Sequence, residues 1–255
     1  MATVTKIDRQ TRWSEAEWET RVQLAACYRL VARYRMTDLI YTHISARVPG
    51  TEDQFLLNPY GLMFEEITAS SLVKIDLEGR QIEDGPYGVN AAGFTIHSAI
   101  HAARHDVFCV LHTHTRAGMA VSCQKQGLLP LNQIALAYYN RLAYHDYEGI
   151  ALDLDERPRL VADLGDKRSM ILLNHGLLTA GRTIPEAFSL MFYLERACEV
   201  QIAALAGGSE LIIPPPEVCE KAALQNQMEN DAPCGDREWE AHIRMLDRED
   251  QSYRN

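Results

Sequence analysis

Three histidines are the residues of this chain whose type and placing could do chemistry. His112 and His114 stand two apart at the close of the apolar run "VLHTH", and His175 sits within "LLNHGLL". Side chains on an extended strand alternate between faces, so His112 and His114 project to the same side and both rings can reach one point. His175 lies at a hinge between two apolar runs, where an unpartnered imidazole is costly to bury and where Gly176 lets the backbone turn sharply. Three neutral imidazoles on one divalent ion leave coordination positions open, as a catalytic site requires and a closed structural site does not. Spacing by itself leaves a second reading open, in which strand-end histidines are satisfied by backbone groups or solvent.

The elements that must carry these side chains follow from periodicity. Ser14 to Glu17 fits a capping box, and "WETRVQLAACYRLVARYRM" repeats apolar residues at helical spacing, which predicts an amphipathic helix over 14–36. "YTHISARV" (41–48) and "QFLLNP" (54–59) read as short strands. "GFTIHSAIHAARH" (93–105) has helical spacing and leads directly into the strand-like "DVFCVLHTH", after which "RAGMAVSCQKQG" is helix-like. "SMILLNHGLLTAG" (169–181) reads as a strand, a tight turn and a second strand. A long helix is predicted over 184–208, opened by Pro185 and closed by Gly207 and Gly208, and a terminal one over 239–250. Short hairpin-linked strands alternating with helices predict an α/β fold with a mixed central sheet flanked by helices on both sides. The expected division is a main domain over 14–208 and a helical arm over 209–255, which is too small to bury its own core and should lie on the main body or on a neighbouring subunit.

Composition removes several classes of function. The formal net charge is −10 without a Lys/Arg block, so nucleic acid and anionic membrane surfaces are not expected partners. No stretch approaches the roughly 20 apolar residues of a membrane helix, and the start "MATVTKIDRQ" has no apolar targeting core, so a cytoplasmic protein is expected. Six cysteines without a C-x-x-C pair fit free thiols, not a disulfide framework or a cysteine metal site.

At this point three segments become recognisable. "NAAGFTIHSAIHAARHDVFCVLHTHTRAGMAVS", "LAYHDYEGI" and "ILLNHGLLTAG" together resemble the class II aldolase/adducin family, and "NPYGLMFEEITASSLVKIDLEG" is similar to its adducin-like branch. The resemblance runs from about residue 20 to about residue 208. It implies a central sheet of roughly nine strands with helices on both sides. It also implies a divalent metal on His112, His114 and His175, with zinc first and iron(II) or manganese as substitutes that suit the same ligands. The family commonly forms cyclic tetramers with the site between subunits, so a homo-oligomer is implied.

The chain departs from the sugar-phosphate aldolases of that family at several positions. Their acid/base glutamate stands four residues before a helix histidine, and aligning that histidine with His97 puts Gly93 in its place. Serines that hold the substrate phosphate become Ala91 and Ala92, a Gly-Asn pair becomes Thr42-His43, and Tyr60 replaces a threonine beside Gly61. These changes remove small anion donors, so the expected substrate is a small non-phosphorylated carbonyl compound or hydroxy acid. The expected activity is that of a metal-dependent lyase, for C–C cleavage or decarboxylation.

Proton transfer then needs a replacement group, for which His43, Tyr144 and His145 have suitable chemistry. Tyr60, Arg116 and His97 are candidates for substrate binding, Arg116 by pairing a carboxylate. His101 and His105 share a helix face with His97 and read as a solvated stripe. Two rival functions have their own grounds. Three imidazoles also suit a non-haem iron oxygenase that decarboxylates oxidatively. The missing glutamate fits a non-catalytic adducin-like scaffold, although no lysine-rich tail accompanies it.

Overall fold

A computed structural model describes residues 12–150, 154–228 and 233–255, the side chains of 91–94 and 227–228 excepted. The opening decapeptide, on which the expectation of no targeting segment rests in part, lies outside these residues, as do the side chains of Ala91, Ala92 and Gly93. Helix α1 (Glu15–Arg33) begins where the sequence places it, with the Ser14 hydroxyl accepting from the Glu17 amide at 3.2 Å. The reciprocal half of the capping box does not form. Glu17 is instead drawn into a buried ion cluster, accepting from Arg21 at 3.0 Å and from Lys74 at 2.8 Å.

Among the described residues seven strands form one sheet: β1 (His43–Arg47), β2 (Gln54–Leu57), β3 (Val73–Asp76), β4 (Cys109–Thr113), β5 (Leu142–His145), β6 (Ser169–Leu172) and β7 (Gly176–Gly181). Their order is β3-β2-β1-β4-β7-β6-β5, antiparallel throughout except for the parallel β5–β6 pair. The sheet is mixed, as expected, and smaller among the described residues than the resemblance implied. Strand β3 escapes the sequence pattern because Lys74 and Asp76 are buried in ion pairs, which hides the usual alternation.

Both faces are covered. On one, α2 (Ala91–Ala103) and α5 (Arg157–Leu164) place Ile96, Ile100, Leu160 and Leu164 against Val110, Met170, Leu172 and Leu178. The other face holds the larger core, in which α1, α6 (Ile184–Ala206) and α8 (Asp236–Glu249) meet Ile44, Leu56, Leu111 and Leu177. Short helices α3 (Arg116–Ser122) and α4 (Gln133–Leu136) and the peripheral α7 (Pro216–Met228) complete the chain. Beyond Pro216 the C-terminal segment lies on the main body: Trp239 and Leu246 enter the larger core, and the backbone carbonyls of Tyr253 and Asn255 accept from Ala69 and Ser70 at 2.9 Å each. No helix among the described residues is long and apolar enough to cross a membrane.

Candidate metal centre

Pairing places His43 of β1 directly across from His112 of β4, and β7 pairs with the other side of β4. The chain leaves β4 at Thr113, so His114 stands just past the strand end. The β6–β7 hairpin then brings in His175: Leu173, Asn174 and His175 connect the strands, the His175 amide donates to the Leu172 carbonyl at 3.1 Å, and Asn174 takes a left-handed φ of 56° that asparagine tolerates better than most residues. Gly176 is required for a different reason. A Cβ there would sit 2.3 Å from the Thr113 carbonyl oxygen, 3.3 Å from His114 Cδ2 and 3.4 Å from His112 Cε1. The glycine of "NHG" therefore lets the hairpin close onto the Thr113 carbonyl, with both partner rings packed beside it.

The three imidazoles come together as the sequence predicts. Their donor atoms all lie within 4.8 Å of one another, with His114 Nε2 at 2.9 Å from both His112 Nε2 and His175 Nε2. The hydrogen bonds of the other ring nitrogens decide what this closeness means. His112 Nδ1 faces the Leu177 carbonyl at 2.8 Å, and a carbonyl can only accept, so the proton is on Nδ1. His114 Nδ1 faces the Asp38 carboxylate at 2.9 Å and donates likewise. In the neutral tautomers that these two bonds favour, the Nε2 atoms of His112 and His114 present lone pairs to each other. Burial, with charge from His175 and His114 behind it, pushes the His112 imidazole well below its ordinary range, and burial lowers His175 to about 4, so neither is relieved by protonation near neutral pH. A divalent cation shared among three Nε2 lone pairs satisfies this arrangement, and a carboxylate or carbonyl on the distal nitrogen is how metal-binding histidines are commonly oriented. His112 is buried while His114 and His175 are half-buried, which leaves the cluster open on one side.

Other predicted site residues are distributed less simply. His43 is 6% exposed, stacks parallel to His112 at a centroid distance of 6.5 Å, and has no partner for either ring nitrogen among the described residues. Burial holds it neutral, with its pKa pushed down to about 3. His97 lies edge-on to His43 at 5.7 Å and shares the Ser45 hydroxyl with His101, at 2.7 and 2.8 Å. His101 is fully buried, contrary to the solvated stripe expected of it, because α2 turns that face onto β1 and β2 and the ring stacks on Phe55 at 5.0 Å. Arg116 is exposed at the start of α3, two residues beyond His114.

Two catalytic candidates are engaged elsewhere. Tyr144 pairs with Ile171, a residue of the larger core, so its ring leaves the sheet on the face opposite His112; its hydroxyl accepts from the Leu128 amide at 3.0 Å over Gly127. His145 is on the triad's face but fully committed, with Nδ1 at 2.7 Å from Asp163 and Nε2 at 3.2 Å from Glu156. Tyr60 is 42% exposed beyond β2 and makes no hydrogen bond or ring contact with the triad. In place of Tyr144 the structure offers Tyr147, which stands 6.3 Å from the His175 ring and is 52% exposed. It lies three residues further along the same "YHDYEG" segment, past the strand end, where the chain returns towards the hairpin. Asp38 was also missed, and nothing in its sequence surroundings distinguishes it from a surface aspartate.

The structure is thus that of an α/β protein with a mixed sheet and, at the ends of its central strands, three imidazoles whose donor set fits a divalent ion. The chain belongs to the class II aldolase and adducin family: the model of the class II aldolase and adducin N-terminal domain matches residues 22–202. It is 57% identical over 250 residues to a Pseudomonas aeruginosa protein named provisionally as a class 2 aldolase, covering 97% of this chain and 96% of that one. It is also 41% identical over 249 residues to alpha-adducin of Rattus norvegicus, covering 92% of this chain but 34% of the adducin. Among solved structures, an aldolase II superfamily protein from Pseudomonas syringae superposes with a TM-score of 0.93 at 56% identity, over 96% of this chain and 99% of that one. An L-fuculose 1-phosphate aldolase from Glaciozyma antarctica superposes with a TM-score of 0.82 at 28% identity, over 94% and 93%.

Proposed function

We propose that this protein is a divalent-metal-dependent lyase of the aldolase type, acting on a small non-phosphorylated carbonyl compound or hydroxy acid. The observation that carries the reading is the convergence of the Nε2 atoms of His112, His114 and His175, with the outer nitrogens of the first two facing the Leu177 carbonyl and the Asp38 carboxylate. A divalent ion held there, with zinc the first expectation and iron(II) or manganese able to use the same ligands, would supply Lewis-acid polarisation of a substrate carbonyl. The remaining roles belong to the chain itself. His43, neutral and with both nitrogens unspent, hydrogen-bonds a substrate oxygen beside the triad. Arg116 pairs a substrate carboxylate from the rim, a role for which its fork of donors is suited. Tyr147 moves the proton that the family's glutamate moves elsewhere, since its phenol is the group on the open side of His175.

Support for a substrate without phosphate comes from the imidazole of His43, which burial holds neutral. The exposure of Leu39 (64%), Tyr41 (45%) and Ile150 (74%), apolar groups near Asp38 and Tyr147 in the chain, supports a homo-oligomer. We take residues 14–208 as the catalytic unit and 209–255 as the arm. Elemental analysis of protein purified without chelators, beside the His112→Ala variant, tests the centre: about one metal per chain, lost in the variant, is expected. Cleavage assays on 2-oxo-4-hydroxy acids with and without a phosphate group, and an oxygen electrode, then separate the lyase from an oxygenase. Metal-free protein in both samples, even after anaerobic reconstitution, would return the reading to a scaffold.

A further inference from the structure

Helix α3 is only seven residues long, yet every triad histidine is tied to it. His114 precedes its N-cap, Thr115, directly. Its final residue, Ser122, accepts from the amide of Asn174 at 3.1 Å, next to His175. Gly118, in its middle, sits so close to Leu177 that a Cβ would meet the Leu177 side chain at 2.6 Å, and the Leu177 carbonyl is the group that fixes the tautomer of His112. The position of this one helix therefore sets the direction of all three rings.

Long helix α6 grips α3 from beneath. Met191 and Glu195, four residues apart and so on one face, meet the two threonines that flank His114. The Thr113 hydroxyl donates to Met191 Sδ at 3.3 Å, and the Thr115 hydroxyl donates to Glu195 Oε2. The same carboxylate oxygen accepts from the Gly118 amide at 3.1 Å. Glu195 is 8% exposed and has no cation within ion-pair distance, so its buried carboxyl is compensated by α3 alone among the described residues. Such a group is costly to keep. An apolar residue at position 195 would continue the helix face and cost less, which points to a task in holding α3.

We propose that Glu195 is a positioning residue of the metal centre: by accepting from the Thr115 hydroxyl and the Gly118 amide it locks α3, and through α3 it aims His112, His114 and His175 at a common point. The proposal rests on the triad being a metal site. It requires that loss of the acceptor loosens the ion without touching a ligand, as loss of a supporting hydrogen bond does in metalloproteins, by about 10- to 100-fold.

Chelator competition on the whole protein measures this, using zinc for affinity and cobalt(II) for its visible absorption. Glu195→Leu is expected to weaken both ions about 10- to 100-fold and to shift the cobalt bands, while Glu195→Gln, whose amide oxygen still accepts, stays within about threefold of the parent with the parent spectrum. If Glu195→Leu does not fold, Thr115→Val carries the same test, with about tenfold weaker binding expected. A folded Glu195→Leu or Thr115→Val protein with the parent's affinity and cobalt spectrum overturns the proposal. A parent protein that binds neither ion overturns the metal reading itself, and the proposal with it, so the two failures are told apart by the parent measurement.

Discussion

Two groups of three buried or half-buried histidines lie side by side on one face of the sheet, and they differ in where their nitrogens are spent. In the triad of His112, His114 and His175, the outer nitrogens of the first two are committed to the Leu177 carbonyl and Asp38, so the inner ones converge as bare lone pairs. In the row of His43, His97 and His101, His97 and His101 share the Ser45 hydroxyl, and His43 Nδ1, His43 Nε2, His97 Nε2 and His101 Nδ1 have no partner among the described residues. Residue type is the same in both groups. Of the two groups, the triad is the one whose outer nitrogens face a carbonyl and a carboxylate, the arrangement that orients imidazoles towards an ion.

The sharpest way to break that distinction is to delete one member of each group. His175→Ala should reduce metal affinity by about three orders of magnitude, since it leaves a two-histidine site, while His101→Ala should leave metal content at the parent level; equal losses in elemental analysis would erase the contrast. Next in size is Tyr147→Phe, for which turnover is expected to fall about 100-fold with metal content unchanged. A variant with parent turnover would move proton transfer to another group, with His43 the first to examine. Asp38→Ala should weaken zinc by about tenfold, because His114 loses the acceptor that sets its tautomer. Chelator titration reads this directly, and an unchanged affinity would mean that Asp38 contributes nothing to the triad.

The smallest effect at neutral pH concerns the row. Burial lowers the His101 pKa from 6.5 to about 3. Between those values the unfolded chain binds a proton that the folded chain does not, so stability falls as pH drops through this window, by up to about 1.4 kcal/mol per pH unit for each such histidine. His101→Phe, which keeps an aromatic ring on Phe55, should lower the pH dependence of metal-free protein by about one proton between pH 6 and 4. Urea midpoints across that range are the check, and a slope equal to the parent's would mean that His101 is not held neutral.

Much of this was legible in the chain. The apolar run closing in "VLHTH", the hinge in "LLNHGLL" and the helical spacing over 184–208 each became the element they indicate, within a few residues at the ends. Strand parity even placed His112 and His114 on a common face. Tyr144 and Tyr147 show where such reading stops. They have the same side chain in the same short segment, but Tyr144 is still on β5, facing the other way, while Tyr147 lies past its end. Which of them meets His175 depends on where pairing with β6 ends, a fact of two strands that neither one records. His101 is a similar case: its stripe on α2 is plain, but whether the stripe faces solvent or the sheet is decided by Phe55 and Ser45 arriving from elsewhere.

The sequence by itself determined the family, the mixed α/β architecture and the three histidines that meet, because strand alternation, helical period and turn-forming residues act over a few neighbours and survive in linear order. Only the tertiary structure decided the tautomers, the silence of His145 between Asp163 and Glu156, the placing of Tyr147 and Asp38, and the grip of Glu195 on α3. Each of these depends on a hydrogen bond or ring contact between residues that lie far apart in the chain or on different elements. Such partners exist only once the sheet has closed its register and α6 has crossed beneath it.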